Sequence, residues 1–226
     1  VHKEHRNKNL APIIISNIAK LCYTPEYTCY LFKKENNPLP FKYISKCKYF
    51  YYDLMRELPK VSLDQKKYNF SKLSIEDNNI AYKYFIKTQD KYRLGFYPDI
   101  TQFSYMFTNL YDITQTFCIK RGETIIGLCN IISHTVKLYG QSNKIAEITT
   151  IELDSQGDLT ICDFVKLVMN ICRGLGYRYI NITNIAQNRI IIDRLGFTYT
   201  MDYYIHMYNY HIGQILQNCE IGYNFA

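Results

Sequence analysis

The 226-residue sequence contains no tryptophan, no Cys-x-x-Cys pair, no apolar run long enough to cross a bilayer and no initiator methionine. Each absence removes a class of explanation. The eight cysteines, at positions 22, 29, 47, 118, 129, 162, 172 and 219, form no tight cluster with histidine, so neither a zinc site nor a dithiol redox motif is expected. Cys129, in "IIGLCNII", sits among apolar residues where a thiol packs as a small hydrophobe, and the setting expected is a reducing cytoplasm. A spanning helix needs about 20 apolar residues in a row. With none, and with no signal peptide ahead of the basic start, the chain reads as a soluble protein without stable membrane insertion. His134, His206 and His211 are too scattered for a triad, so no metal or covalent enzyme nucleophile is expected. A chain that opens on Val1 and runs at once into a basic cluster reads as cut from a longer one.

What is present is a core-forming composition, with 47% hydrophobic residues and 23 tyrosines. That is enough to bury the interior of one large or two small domains. The tyrosine, isoleucine, asparagine and lysine content fits an A+T-rich coding sequence, as in some large DNA viruses or protozoa. A net charge of +7 favours an anionic partner, whether a phosphate-bearing cofactor, nucleic acid or a membrane surface, with plain solubility as the alternative. No recognised RNA- or DNA-binding motif accompanies it, so nucleic acid is not expected as a partner.

In "NLAPIIISNIAKLCY", Pro12 occupies a first helical turn, and Ile14, Ile18 and Leu21 follow at helical spacing. His2, Lys3, His5, Arg6 and Lys8 precede that helix start, so positive side chains and free backbone N–H groups converge in the outline of an anion site. A solvated basic leader is the alternative. Residues 28–62 read as strands or irregular structure around the turn "NNPLP". From about Lys72 the order is strand, helix on Ile80, Tyr84, Phe85 and Thr88, helix near 99–110, and a hairpin through "KRGE". The strand "IAEITTIEL" comes next. A long helix then buries Ile161, Phe164, Val165, Val168, Ile171 and Cys172 and ends at Gly174. The strand "YRYINIT", a short helix closed by Gly196 and a final aromatic strand complete the order. This is an α/β, mixed-sheet layout.

That order, with "RLGF" before the last strand, resembles the GNAT-like acyl-CoA N-acyltransferase fold. The opening residues Val1-His2-Lys3 and Arg6-Asn7-Lys8-Asn9-Leu10-Ala11-Pro12 resemble the Val-His-Lys and Arg-Ser-Lys-x-Leu-Ala-Pro segments of the eukaryotic N-myristoyltransferase family. "CKYFYYDLM", "NITNIAQNR", "RLGFTYTMDYYIHMYNY" and the ending "CEIGYNFA" resemble further segments of the same family. The resemblance implies the C-terminal half of such an enzyme. Residues 1–71 would be the end of the N-terminal GNAT-like half with connecting strands, and residues 72–226 a C-terminal GNAT-like domain. It implies transfer of a myristoyl group from acyl-CoA to the N-terminal glycine of proteins by direct attack. Myristoyl-CoA would be co-substrate, no prosthetic group would be needed, and the protein would be a cytoplasmic monomer. By this resemblance Arg6, Asn7, Lys8, Asn9, Leu10, Ala11 and Pro12 contact the CoA phosphates, Tyr49, Tyr51 and Asn181 line the peptide groove, and the α-carboxylate of Ala226 is the base. A partly buried carboxylate beside an ammonium can take its proton. Strand packing is the alternative reading of most of the tyrosines, and a frayed tail that of the last residues.

The chain departs from the family pattern in two places. Lys33, Lys34, Glu35 and Asn36 stand near the family's Tyr-Thr-Ala-Gly, and "TTIELDSQ" replaces Asn-Val-His-Thr, leaving Glu152 as a candidate groove residue. The acyl pocket and the oxyanion strand of the family would lie ahead of Val1, so residues 1–226 alone are expected to be catalytically silent. A catalytically degenerate homologue, kept as a binding or structural module, is the alternative function.

Overall fold

The computed structural model describes residues 29–33, 42–58, 60–61, 63–108, 113–138, 140–154, 158–208 and 216–223. The expected helix after Pro12, the Arg6–Pro12 segment, the "NNPLP" turn and Ala226 lie outside the described residues. By contacts the chain divides into two units, Val1–Cys47 with Asp202–Leu216, and Lys48–Met201 with Gln217–Ala226.

In the first unit, strand β1 (Cys29–Lys33) pairs antiparallel with the later part of β8 (Thr198–Tyr208), from Cys29 opposite Tyr208 to Lys33 opposite Tyr204. Lys46, on the early part of β2 (Lys42–Asp53), pairs with Asp202 at 2.6 Å. Cys47 beside them is fully buried, and burial pushes its thiol up to about 12. Such a thiol is inert.

The second unit carries β3 (Asn69–Lys72), α1 (Asn78–Gln89), α2 (Ile100–Phe107), β4 (Thr114–Arg121), β5 (Thr124–Leu138), β6 (Gln141–Leu153), α3 (Ile161–Gly174), β7 (Tyr179–Thr183) and α4 (Asn188–Leu195). Its strand order is β8-β2-β7-β6-β5-β4-β3. The antiparallel pairs β4–β5 and β5–β6 are joined by tight turns, whereas β6 and β7 run parallel and so require a crossover, which α3 supplies. The "KRGE" hairpin forms with Gly122 at φ 59°, a left-handed turn position. A second hairpin, joining β5 to β6 across Gly140, was not expected from the sequence.

Helices α3 and α4 cover one sheet face, with Phe164, Val165, Val168, Met169 and Cys172 packed on Ile148, Ile151, Ile180 and Ile182. Helices α1 and α2 cover the β3–β4–β5 part of the other face through Phe85, Phe103, Phe107, Cys118 and Leu128. Three expectations need correction. Ile171 is 40% exposed and Ile80 43% exposed, because α3 turns Met169 inward and α1 turns Ala81 inward in their place. Gly174 is still helical. The left-handed residue that closes α3 is Gly176, at φ 79°, where Tyr177 N–H reaches back to Cys172 O at 3.0 Å. Gly196 closes α4 at φ 72°, as expected. No described helix is long and apolar enough to cross a membrane.

Candidate functional site

On β2 and β7 side chains alternate between faces, and the register settles which go where. Phe50 and Tyr52 lie opposite Ile182 and Ile180, on the face that α3 and α4 cover. Tyr49 and Tyr51 lie opposite Thr183 and Asn181 and therefore share the other face. Asn181 Nδ2 donates to Tyr49 Oη at 3.4 Å, and Glu147 of β6 is next to Asn181 in the parallel register. Three residues expected in the groove, Tyr49, Tyr51 and Asn181, thus come together from two strands that are distant in sequence.

The polar row continues inward. A register shift between Asn130 and Ile131 makes Thr149 the extra residue of β6, a bulge that turns its hydroxyl toward Asn130. Thr149 donates to Asn130 Oδ1, Asn130 Nδ2 donates to Thr116 Oγ1 at 2.8 Å, and Thr116 donates to the Phe107 carbonyl at 2.5 Å. This chain of side-chain hydrogen bonds ties β6, β5 and β4 to the end of α2. Among the described residues, two hydroxyls in the region are buried without a hydrogen-bond partner: Thr183 Oγ1 and Thr150 Oγ1. A buried, unmade hydrogen bond costs about 1–3 kcal/mol, so a native fold that keeps one calls for an explanation.

Residues 217–223 run beside this row. Ala186 N–H donates to Asn218 O at 2.9 Å, Leu94 N–H to Glu220 O at 3.0 Å, and Gly222 N–H to Leu94 O at 2.9 Å, closing a parallel bridge between Leu94 and Ile221. Ile221 and Tyr223 are 1% and 2% exposed, so the chain is tucked, not frayed, as far as Tyr223. The Tyr223 ring packs on Phe96 at 4.8 Å and on Phe85 at 6.2 Å. Burial pushes its phenol up to about 12, with Thr149 as a hydrogen-bonding neighbour.

Glu152 does not join the Tyr49–Asn181 row. It lies opposite Leu128, on the side of α1 and α2, is 2% exposed, and accepts from Tyr92 Oη at 2.6 Å while pairing with Lys91. Burial raises its carboxyl above the usual range against the opposing pull of Lys91, and burial next to that carboxylate also raises the Tyr92 phenol. Thr183, Thr149, Asn130 and Tyr92 were not singled out from the sequence. The available signal was a lone asparagine inside the apolar run of β5 and a Thr-Thr pair inside that of β6. Among the described residues no group of His, Cys, Asp and Glu is arranged to hold a metal ion.

No family model matches the sequence, and no curated protein sequence matches it. Solved structures do. A structure of Saccharomyces cerevisiae N-myristoyltransferase with bound myristoyl-CoA matches at 15% identity with a TM-score of 0.75, over 99% of this chain and 63% of that one. A second, of the same enzyme with bound myristoyl-CoA, matches at 14% identity with a TM-score of 0.73, over 94% of this chain and 61% of that one. The chain therefore spans less than two thirds of the length of the structures it matches, and what it shares with them is the fold of N-myristoyltransferase, the mixed α/β fold that its sequence resembles.

Proposed function

We propose that this chain is the peptide-binding, C-terminal part of an N-myristoyltransferase-like acyltransferase, which moves a fatty acyl group from acyl-CoA to the N-terminal glycine of a protein. In this reading the glycine amine, once neutral, attacks the thioester carbonyl. A C–N bond forms, the C–S bond breaks, CoA leaves as the thiol, and the proton of the ammonium goes to the α-carboxylate of Ala226. Arg6 to Pro12 hold the CoA phosphates, toward which the Arg6 and Lys8 side chains bring positive charge. Tyr49, Tyr51 and Asn181 seat the peptide.

The observation that carries the reading is the polar row on an otherwise packed sheet, with the Thr183 hydroxyl buried and unpartnered opposite Tyr49. A peptide laid along the row supplies the missing partner once the side chains that cover Thr183 give way. The test is Thr183→Val, which keeps the shape and deletes the hydroxyl. Removing an unsatisfied group raises the stability of the free protein by about 1–3 kcal/mol, while loss of a ligand hydrogen bond weakens binding of a glycine-starting peptide by about two- to tenfold. Chemical denaturation and a peptide titration measure the two effects on one sample. Increased stability with unchanged peptide affinity refutes the assignment of Thr183 to the peptide site.

A further inference from the structure

Beside the start of α4, a hollow of about 320 Å³ is lined by Lys48, Phe50, Asn184, Arg189, Ile192 and Asp193. Lys48 and Phe50 alternate with Tyr49 and Tyr51 along β2, so their side chains leave the sheet on the side away from the Tyr49–Asn181 row. The floor is apolar. Ile192 is buried and Phe50 half-buried, with the Phe50 ring edge-on to Tyr199 at 5.8 Å. The rim is rich in donors. Lys48 N–H donates to Asn184 Oδ1 at 2.6 Å and Asn184 N–H donates to Lys48 O at 3.0 Å, which fixes the amide and leaves Nδ2 as its unengaged end. Among the described residues Lys48 Nζ has no carboxylate partner, and it stands 5.9 Å from the Tyr199 ring. Arg189 Nε is 3.7 Å from Asp193 Oδ2 with both side chains mostly exposed, a contact worth little that leaves the terminal guanidinium N–H groups unengaged.

We propose that this hollow is a second ligand site that binds a small aryl anion, a flat apolar ring carrying a phosphate or a carboxylate. The ring lies on Phe50 and Ile192, and the head group takes hydrogen bonds from Lys48 Nζ, Asn184 Nδ2 and the Arg189 guanidinium. Hydrogen bonds between ionised partners are the strong ones, and here two cations and an amide donor face one carboxylate. The apolar floor adds a reason for the ring, since an inorganic anion leaves that surface uncovered and a neutral ring leaves the donors unused. Size sets the upper limit. Ligand pockets run from about 300 to 1,000 Å³, and this one lies at the small end, fit for one ring and its head group but not for a CoA. The site is therefore distinct from that of the proposed co-substrate.

The test titrates the full chain with phenyl phosphate, benzoate, inorganic phosphate and benzyl alcohol, following backbone amide chemical shifts. At least one aryl anion is expected to saturate, with shifts confined to 48–50, 184 and 189–193, and to bind about tenfold or more tightly than inorganic phosphate or benzyl alcohol. Which of the two binds names the head group, and either result supports the site. Lys48→Met, which keeps the apolar stem, is expected to weaken binding about tenfold, whereas Lys137→Met, at an exposed position of β5, changes nothing. Asp193→Asn removes the competing carboxylate and is expected to tighten binding about two- to fivefold. Phe50→Leu is expected to weaken the aryl anion and leave inorganic phosphate unchanged. Equal effects of Lys48→Met and Lys137→Met would reduce the binding to diffuse charge and overturn the proposal. So would inorganic phosphate that binds as tightly as either aryl anion, or shifts that never saturate.

Discussion

Gly222→Ala asks whether one methyl group is enough to release the tail. Seating residues 219–223 buries Ile221 and Tyr223, worth about 1.5–3 kcal/mol each. It also makes two backbone hydrogen bonds with Leu94, worth about 1 kcal/mol each. The gain is about 5–8 kcal/mol, and ordering five residues costs about 5–10 kcal/mol. The seated tail is therefore close to balance. An added Cβ forces either the Tyr92 ring to move, which gives up its bond to a buried carboxylate, or the tail to leave. Overpacking of this kind costs about 1–3 kcal/mol, which is more than the balance holds. The tail leaves and the sheet stays. The reporter is the Leu94 amide, which donates to Glu220 O in the seated state. Its hydrogen exchange should rise to nearly the unprotected rate, while amides of β5 and β6 exchange as before. Wild-type exchange at Leu94 in this variant would show that the Tyr92–Gly222 contact does not govern the tail, and the reasoning would fail.

Two further outcomes test the packing and the electrostatics. Phe103 is fully buried and stacked on Phe107 at 4.2 Å, so Phe103→Ala should lower stability by about 3–5 kcal/mol in a denaturant titration. A loss below about 1 kcal/mol would mean that α1 and α2 are not packed on the sheet as described. His134 Nε2 is 3.2 Å from Glu147 Oε2, and that carboxylate raises the imidazole above its ordinary 6.5. A raised histidine contributes stability that is complete below the unfolded value and disappears as pH rises through the folded one. Melting temperature should thus decline from pH 6.5 upward until the histidine is neutral, and His134→Gln should flatten that slope. An unchanged slope in the variant would remove His134 from the account.

The α/β order was legible in the sequence because it rests on local chemistry. The apolar stripe of α3, the hairpin turn at Gly122 and the left-handed stop at Gly196 are each written within a few residues, and each forms. The errors came where a neighbour decides. Ile80 and Ile171 are as apolar as the residues that pack, and only the direction from which the sheet meets each helix turns them outward. Gly174 and Gly176 both suit a helix end, and the choice between them is made by the bond from Tyr177 N–H to Cys172 O.

The site divides in the same way. Aromatic and amide residues on two strands were marked out by resemblance to a family, and Tyr49, Tyr51 and Asn181 do meet. Their meeting is a matter of register between strands more than a hundred residues apart, with no connecting turn to fix it. The bulge that aims Thr149 at Asn130, the solitude of the Thr183 hydroxyl and the seat of Gly222 against Tyr92 are properties of that register as well. Composition and periodicity by themselves determined which segments became helices and strands, since those depend on side-chain spacing along one segment. Tertiary structure alone decided which hydroxyls lack a partner, which carboxylate is buried and where the tail is gripped, since each depends on atoms that remote parts of the chain bring within a few ångströms.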